Sequence, residues 1–293
     1  MCRLFGISGG EDRVRATFWL LEAPDSLAEQ SRRQPDGTGL GWFDDDGRPW
    51  VAKQPLAAYE DLLFAHEARE RESRVFVAHI RYATTGEIEE RNTHPFEQQG
   101  RLFAHNGVVH GLERLERELG NDLALVEGET DSERVFALVT RETERHRGDV
   151  GAGIATAARW VAEHLPLYAI NLLVASADGL WALRYPDTHD LWVLERGAGG
   201  THGGRHLDAA SAAGTVRVRS ERLARHPAVI VASEPMDEDP GWRLLASGEL
   251  LHVGPRLEVT STIAVDRPPS HLLTIDDLEP RAAAAQLPPP PPH

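Results

Sequence analysis

The only cysteine of the sequence is Cys2, directly after Met1. A lone cysteine is usually a small, buried hydrophobic residue, but this position allows a second interpretation. A small second residue permits removal of the initiator methionine, which would leave a free α-amino group beside the thiol. Because an α-amino group titrates near about 8, its neutral form can accept the thiol proton. Cys2 is therefore a candidate nucleophile that carries its own base.

The triplet His105-Asn106-Gly107 carries groups that would stabilise a developing negative charge. It follows a predicted strand at 101–104, and an Asn-Gly pair is most often the turn of a β-hairpin. However, the residues that follow have helical rather than strand spacing. The Asn106 amide and the Gly107 backbone N–H, both projecting from a strand end, would alternatively form a two-donor oxyanion hole. The residues alone leave both interpretations open.

Charged and hydroxyl side chains suited to an amino-acid substrate occur in two other segments. Arg81 ends a predicted strand and would fork onto an α-carboxylate, with Thr84 and Thr85 as further donors. The alternative for Arg81 is an ion pair that ties the strand end to its neighbour. Asp131 would ordinarily begin a helix, but its carboxylate could instead hold a substrate ammonium group. His94 either packs in a turn or forms a pocket wall.

Composition excludes several other kinds of site. A single thiol cannot form an internal disulfide or a multi-thiolate zinc or iron–sulfur site. The net charge of −15 disfavours binding to nucleic acid or to anionic membranes. No apolar run approaches the ~20 residues that cross a bilayer, and the first residues lack the pattern of a signal peptide. We therefore expect a cytoplasmic protein whose partners are small molecules or proteins.

The elements that must position these residues follow from the apolar pattern. It predicts early strands at 3–8, 39–43, 50–53, 74–82 and 101–104. It predicts helices at 14–30, which Pro24 can break, and at 59–71, 112–119, 131–146 and 151–164. Further strands, in the spacing of an antiparallel meander, are predicted at 168–175, 179–185, 191–195, 228–233, 250–253 and 257–265. The order strands, helices, strands favours an α+β fold whose sheets pack between helical layers.

Glycine and proline mark three further features of the chain. Gly37, Gly39 and Gly41 have the wrong spacing for a nucleotide-binding loop, and we interpret them as sites of close backbone approach. A single domain is expected over residues 2–280. Within it, the Gly-, Ala- and Ser-rich segment 197–215 is predicted to be a flexible loop. Beyond it, the Pro-rich tail 286–293 is predicted to be disordered.

Six motifs, taken in order, resemble those of the class II glutamine amidotransferases, which are N-terminal-nucleophile hydrolases. They are MCRLFG at the start, PDGTGLGW at 35–42, HIRYATTG at 79–86, NTHPF at 92–96, HNG at 105–107 and ETDSE at 129–133. The sequence is most similar to short stand-alone members, including the enzyme that removes a γ-glutamyl group in ergothioneine synthesis. The resemblance implies a four-layer αββα sandwich with antiparallel sheets.

The resemblance also implies a role for each matched residue. These roles are nucleophile for Cys2, oxyanion donors for Asn106 and Gly107, carboxylate binding for Arg81 and Thr84, ammonium binding for Asp131, and substrate contact for His94. Thr85 departs from the pattern, because the members that make glucosamine phosphate have a histidine at this place. The contact that Thr85 makes with the substrate is therefore expected to differ.

The implied reaction is cleavage of the side-chain amide of glutamine or of another γ-glutamyl amide. Cys2 would form a γ-glutamyl thioester, which water hydrolyses to glutamate after ammonia or an amine has left. No metal or organic cofactor is expected. Two alternatives remain open: a glutaminase that supplies ammonia to a separate synthase protein, and a catalytically silent binding module of the same fold. A homodimer is compatible with either.

Overall fold

The computed structural model describes residues 2–198, 208–210, 217–219 and 226–286. Among these residues, two large antiparallel sheets lie between layers of helices. The first sheet holds β1 Arg3–Ser8, β2 Gly37–Phe43, β3 Pro49–Gln54, β4 Val75–Arg81, β9 Trp192–Arg196, β12 Ala228–Ala232 and β13 Arg243–Leu244. Its spatial order is β13-β9-β12-β1-β4-β2-β3. The start of the chain thus lies in the middle of this sheet.

The second large sheet carries the remaining long strands of the described chain. It holds β5 Phe96–Gln98, β6 Arg101–Val109, β7 Leu167–Ser176, β8 Gly179–Leu183, β14 Glu249–Val253 and β15 Val259–Ile263. The spatial order is β15-β14-β8-β7-β6-β5. A separate pair is formed by β10 Asp208–Ala210 and β11 Arg217–Arg219.

The helices lie outside the two sheets. They are α1 Leu27–Gln30, α2 Leu62–Glu70, α3 Leu112–Leu119, α4 Asp131–Arg145, α5 Val150–His164 and α6 Pro280–Gln286. Single π or 3₁₀ turns cover Phe18–Glu22, Glu90–Asn92, Gly120–Leu125 and Ile275–Asp277. No helix of the described residues is both long and apolar enough to span a bilayer.

Side-chain alternation along the strands builds three apolar layers. In β1, Phe5 and Ile7 face the helical layer that contains Phe18, Trp19 and Phe64, whereas Leu4 faces the second sheet. Since successive side chains of a strand point to opposite faces, one short strand contributes to two layers. The layer between the sheets includes Leu4, Val77, Leu102, Ala104 and Leu173. The outer layer under α4 and α5 includes Phe103, Phe136, Ile154 and Ile170. The order helix, sheet, sheet, helix confirms the predicted α+β, four-layer architecture.

One expectation about the later strands is wrong, and one about a helix is confirmed. The later strands do not form one meander, because β9, β12 and β13 join the first sheet while β7, β8, β14 and β15 join the second. Strands buried on both faces look alike in sequence, so the pattern cannot assign them to a sheet. The predicted helix at 14–30 is interrupted at Pro24, as proline requires, and resumes at α1 after the Ser26 cap.

Two other predictions fall largely outside the described residues. Of the segment 197–215, the structure describes 197–198 and the strand β10 only, and of the tail 286–293 it describes only Gln286. Their flexibility and disorder, like the single-domain boundary at 2–280, stay predictions.

The close backbone approach expected at the glycines of β2 is confirmed. A Cβ atom on Gly39 would overlap the carbonyl oxygen of His94 and lie 2.9 Å from Cδ of Pro95. A Cβ on Gly41 would lie 2.8 Å from Cδ1 of Leu102. The bare strand surface therefore admits the backbone of the His94 segment.

Replacing Gly39 with alanine is expected to lower the free energy of unfolding by about 1–3 kcal/mol, because the His94 backbone has to move. Gly197 is the matched control, since it is exposed and a Cβ there would meet nothing within 4 Å. The Gly197→Ala variant should stay within about 0.5 kcal/mol of the parent. Urea unfolding of both variants measures the difference, and equal stabilities would contradict the close approach.

Candidate functional site

Cys2 precedes β1 and lies beside the end of β4. Arg3 is paired with Ile80 in the antiparallel ladder, so Cys2 lies opposite Arg81, next to Tyr82. The Tyr82 backbone N–H donates to the Cys2 sulfur at 3.2 Å, and the thiol lies 3.5 Å from the Tyr82 carbonyl oxygen. The backbone of Tyr82 thus fixes the position of the half-buried sulfur.

The protonation state of the Cys2 thiol follows from its surroundings. Burial raises the pKa of Cys2 above its ordinary value. The positive charge of the chain's amino terminus, the Tyr82 N–H and the positive charges of Arg81 and Arg3 oppose this shift without cancelling it. The thiol is therefore protonated at neutral pH and needs a proton acceptor before it can attack.

Arg3 and Glu234 form a second support for the start of the chain, which sequence reasoning did not single out. The Arg3 Nε donates to the Glu234 carboxylate at 2.8 Å, and its Nη1 lies 3.4 Å from the Cys2 carbonyl oxygen. Glu234 lies two residues after the end of β12, in the segment VASEP at 231–235. That segment was the available signal, but its connection to Cys2 depends on the pairing of β1 with β12.

Arg81 holds the loop that follows β4. Its Nη1 donates to the Glu87 carbonyl oxygen at 2.9 Å, and its Nη2 donates to those of Thr85 at 2.8 Å and Gly86 at 3.2 Å. Within the described part of the chain, the structure shows no ion pair for Arg81, so the interpretation as a strand-end ion pair is wrong. Three of its five N–H donors are used, which leaves two for another acceptor. Thr84 is half-buried on the same loop.

Asp131 joins three elements at the first turn of α4. Its Oδ1 accepts from the Thr85 hydroxyl at 3.0 Å and from the Ser132 N–H at 2.9 Å, while Oδ2 accepts from the Val109 N–H at 2.9 Å. The expected helix start is also present, because Thr130 caps α4 through the Glu133 N–H. The Ser132 hydroxyl adds a longer contact to Oδ1, at 3.5 Å. Since each carboxylate oxygen has about two acceptor positions, the capacity that the buried Asp131 keeps for a further donor lies on Oδ2, which has one partner.

Asn106 and Gly107 lie inside β6, not at its end. Asn106 is paired with Asn171 and Gly107 with Ile170, and the strand continues to Val109. The hairpin turn is therefore wrong, and the projection from a strand end is wrong as well. The reason is that β7 continues alongside β6 past this point.

The strand geometry sets the direction of both candidate oxyanion donors, the Asn106 amide and the Gly107 N–H. Asn106 shares the face of Leu102 and Ala104, which point into the layer between the sheets. Its buried Nδ2 has no hydrogen-bond partner among the described residues. The Ile170 N–H donates to Tyr185 on the far side of β7. Residues 107 and 170 therefore form a non-hydrogen-bonded pair, and the Gly107 N–H points away from β7.

Gly107 could not be another residue. A Cβ atom at this position would overlap the carbonyl group of Ala169. Cys2 lies on the same face of the first sheet as Leu4, which points into the layer between the sheets. Cys2 and Asn106 thus lie on the two sheet faces that enclose the same layer. Buried donors without partners are uncommon and costly in proteins.

His94 packs in a buried group of rings. Its ring centroid is 4.2 Å from that of His79 and 4.5 Å from that of Phe96. The ring nitrogens of His79 and His94 have no hydrogen-bond partner within the described chain. Burial, with the neighbouring His79, His105 and Arg81, holds the pKa of His94 well below its usual range. This geometry favours the packed turn over a pocket wall.

The buried His79 makes the stability of the fold depend on pH. Burial lowers the pKa of His79 from 6.5 to about 3. Between these values the unfolded chain binds a proton that the folded chain does not, so stability falls as the pH falls through this window. We expect His79→Gln to reduce the slope of unfolding free energy against pH by about 1.4 kcal/mol per unit. Urea titrations between about pH 6 and 4 measure the slope; identical slopes would contradict a neutral buried His79.

Comparison with known proteins matches the chain to a family. A family model described as class II glutamine amidotransferases matches residues 1–272. The chain is 32% identical to the gamma-glutamyl-hercynylcysteine sulfoxide hydrolase of Mycolicibacterium smegmatis, over 80% of this chain and 88% of that protein.

Solved structures share the fold. A glutamine phosphoribosylpyrophosphate amidotransferase from B. subtilis superposes with a TM-score of 0.64 at 19% identity, over 91% of this chain. The chain spans only 50% of that enzyme's length. A class II glutamine aminotransferase domain protein from Silicibacter pomeroyi has a TM-score of 0.56 at 20% identity, over 89% of this chain and 98% of its own.

Proposed function

The chain belongs to the class II glutamine amidotransferases and is a hydrolase of that type, and from this premise we propose that it hydrolyses γ-glutamyl amides through Cys2. The observation that carries the proposal is the shared layer between the sheets. Strand alternation puts Cys2 on the face of Leu4 and Asn106 on the face of Leu102 and Ala104, and both faces line this layer. The Asn106 amide has no partner among the described residues. This arrangement suits a nucleophile that faces an oxyanion donor.

The first step is attack by the Cys2 sulfur on the side-chain amide carbon of the substrate. Because burial keeps the thiol protonated, a base is needed. After removal of Met1, the neutral α-amino group of Cys2 takes the thiol proton. The amide oxygen gains negative charge as the carbon becomes tetrahedral, and it accepts hydrogen bonds from the Asn106 amide and the Gly107 N–H.

The intermediate then collapses to products. The C–N bond breaks, the leaving nitrogen takes the proton held by the α-amino group, and a γ-glutamyl thioester remains on Cys2. Water attacks the thioester carbon and gives up a proton to the same amine. The C–S bond then breaks, glutamate leaves, and the amine returns the proton to the Cys2 sulfur. All proton transfers use the one amino group, so the reaction needs no further base.

The glutamyl end of the substrate is held by groups that still have binding capacity. The two unused N–H donors of Arg81 bind the α-carboxylate, with the Thr84 hydroxyl as an additional donor. Asp131 accepts from the α-ammonium group at its remaining acceptor position. Thr85 bonds to Asp131, so we assign it to orienting this carboxylate. His94 supports the site through packing.

A substrate screen tests this function. The full-length protein is incubated with glutamine and with γ-glutamyl amides of larger amines, and glutamate release is measured. The same amides linked through the α-carboxyl group serve as controls. We expect glutamate from the γ-linked compounds only. Activity on glutamine alone would favour an ammonia-supplying glutaminase with a separate synthase, and no glutamate from any compound would favour a silent binding module.

A further inference from the structure

The described C-terminal segment returns to the Cys2 side of the molecule. In α6, the Arg281 Nη2 donates to the Asp36 carboxylate at 2.8 Å. The Arg281 guanidinium carbon also lies 5.4 Å from the centre of the Tyr82 ring. Tyr82 is the residue whose backbone N–H contacts the Cys2 sulfur. Tyr82 therefore connects α6 to the thiol: its ring lies near Arg281, and its backbone N–H contacts the Cys2 sulfur.

The same segment packs beside the oxyanion donors. Leu273, Leu278 and Ala282 form a small apolar cluster with Val108 and Ala169. Val108 follows Gly107 in β6 and is paired with Ala169. At the end of α6, the Gln286 Oε1 lies 2.6 Å from the His189 Nε2. The segment 272–286 thus connects the sheet that carries Cys2 to the sheet that carries Asn106.

Arg281 brings positive charge to a site in an acidic protein. Arg3 is held by Glu234 and Arg81 by three carbonyl groups. The Arg281 side chain, by contrast, is 53% exposed. The charge of Arg281 also affects Arg81. Burial is the largest cause that lowers the pKa of Arg81, and the positive Arg281 lowers it further, whereas the negative Asp36 and Asp131 raise it. A chain of net charge −15 therefore gathers arginines around its cysteine.

The glutamyl half of a substrate does not account for this extra arginine. Its α-carboxylate is matched by Arg81 and its α-ammonium by Asp131 under the proposed function. Arg281 contacts Asp36 through Nη2 alone, so the ion pair uses one of five guanidinium donors. The same Asp36 Oδ2 also accepts from the Ala83 N–H at 2.8 Å. The remaining donors are available to an anion that enters with the rest of the substrate.

We propose that Arg281 binds a carboxylate carried by the leaving amine, so that the preferred substrates are γ-glutamyl amino acids or peptides. Neutral γ-glutamyl amides and glutamine itself lack this group. The inference rests on the proposed function and names its substrate class. Arg281 is then a specificity residue, and α6 forms the wall of the leaving-group side of the site.

Two substrates that differ in one group test this assignment. γ-Glutamylglycine has the leaving-group carboxylate, and γ-glutamylglycinamide replaces it with a neutral amide of similar size. We expect the full-length protein to favour γ-glutamylglycine by about tenfold in kcat/KM, as one charge-assisted contact allows. Arg281→Gln should bring this ratio to about one, mainly through KM. Arg281→Lys keeps the charge and should restore part of the ratio.

Each outcome bears on the assignment. If Arg281 only anchors α6, Arg281→Gln will lower both kcat/KM values together and leave the ratio unchanged, which overturns the inference. Equal rates on the two amides in the unaltered protein also overturn it, while leaving γ-glutamyl hydrolysis intact. If neither amide nor glutamine is hydrolysed, the proposed function fails and the inference fails with it.

Discussion

Replacing Cys2 with alanine is expected to lower glutamate production from a γ-glutamyl amide by a factor of about 10⁴ or more. The reason is that alanine has no atom that can form the thioester, and no other cysteine occurs in the sequence. The measurement is kcat/KM for the purified variant and the parent protein, with thermal unfolding of both as a check on folding.

Cys2→Ser is the matched control for this loss. A serine oxygen still accepts the Tyr82 N–H that now contacts the sulfur, so the local backbone should persist. The hydroxyl is a weaker nucleophile at neutral pH, and we expect this variant to melt like the parent while turning over far more slowly. Full activity of Cys2→Ala would refute the assignment of the nucleophile.

Replacing Asn106 with alanine is expected to slow the reaction by about 10²–10³-fold, the usual effect of removing one oxyanion donor. The loss should appear in kcat, because the donor acts on charge that develops in the transition state. Stability should change little, since the Asn106 Nδ2 has no partner among the described residues. Steady-state kinetics and urea unfolding of the same preparation measure both effects.

Asn171, which is paired with Asn106 on β7, serves as a control because its replacement should affect stability. Its Nδ2 lies within hydrogen-bond distance of the carbonyl oxygens of His189 and Asp190, and its Oδ1 accepts from the Tyr185 N–H at 3.0 Å. Asn171→Ala should therefore lose about 1–3 kcal/mol of stability. If Asn106→Ala were destabilised in the same way while keeping its rate, Asn106 would be a structural residue and not an oxyanion donor.

Much of the fold could be predicted from local patterns. The strand Arg3–Ser8 and the helix Leu112–Leu119 have the bounds that their apolar spacing indicates. The break at Pro24 follows from proline chemistry. What the spacing could not supply is the choice of sheet for each later strand. A strand such as Ala228–Ala232, buried on both faces, carries no periodic signal that distinguishes its neighbours.

The candidate site was predictable by residue type more than by geometry. Asn106 and Gly107 were expected at a strand end, yet their environment depends on β7, which lies some sixty positions later in the chain. The carbonyl contacts of Arg81 depend on a loop conformation that no residue pattern encodes. Arg281 belongs to no motif of the sequence, and its contact with Asp36 joins residues 245 positions apart.

The most direct test of the central claim is the intact mass of the protein during turnover. The full-length protein is mixed with a γ-glutamyl amide, quenched in acid within the first turnovers, and analysed by mass spectrometry with peptide mapping. We predict a chain that lacks Met1 and carries one γ-glutamyl group on Cys2. An active protein that retains Met1, or one that releases glutamate while its quenched Cys2 never carries the adduct, would contradict the account.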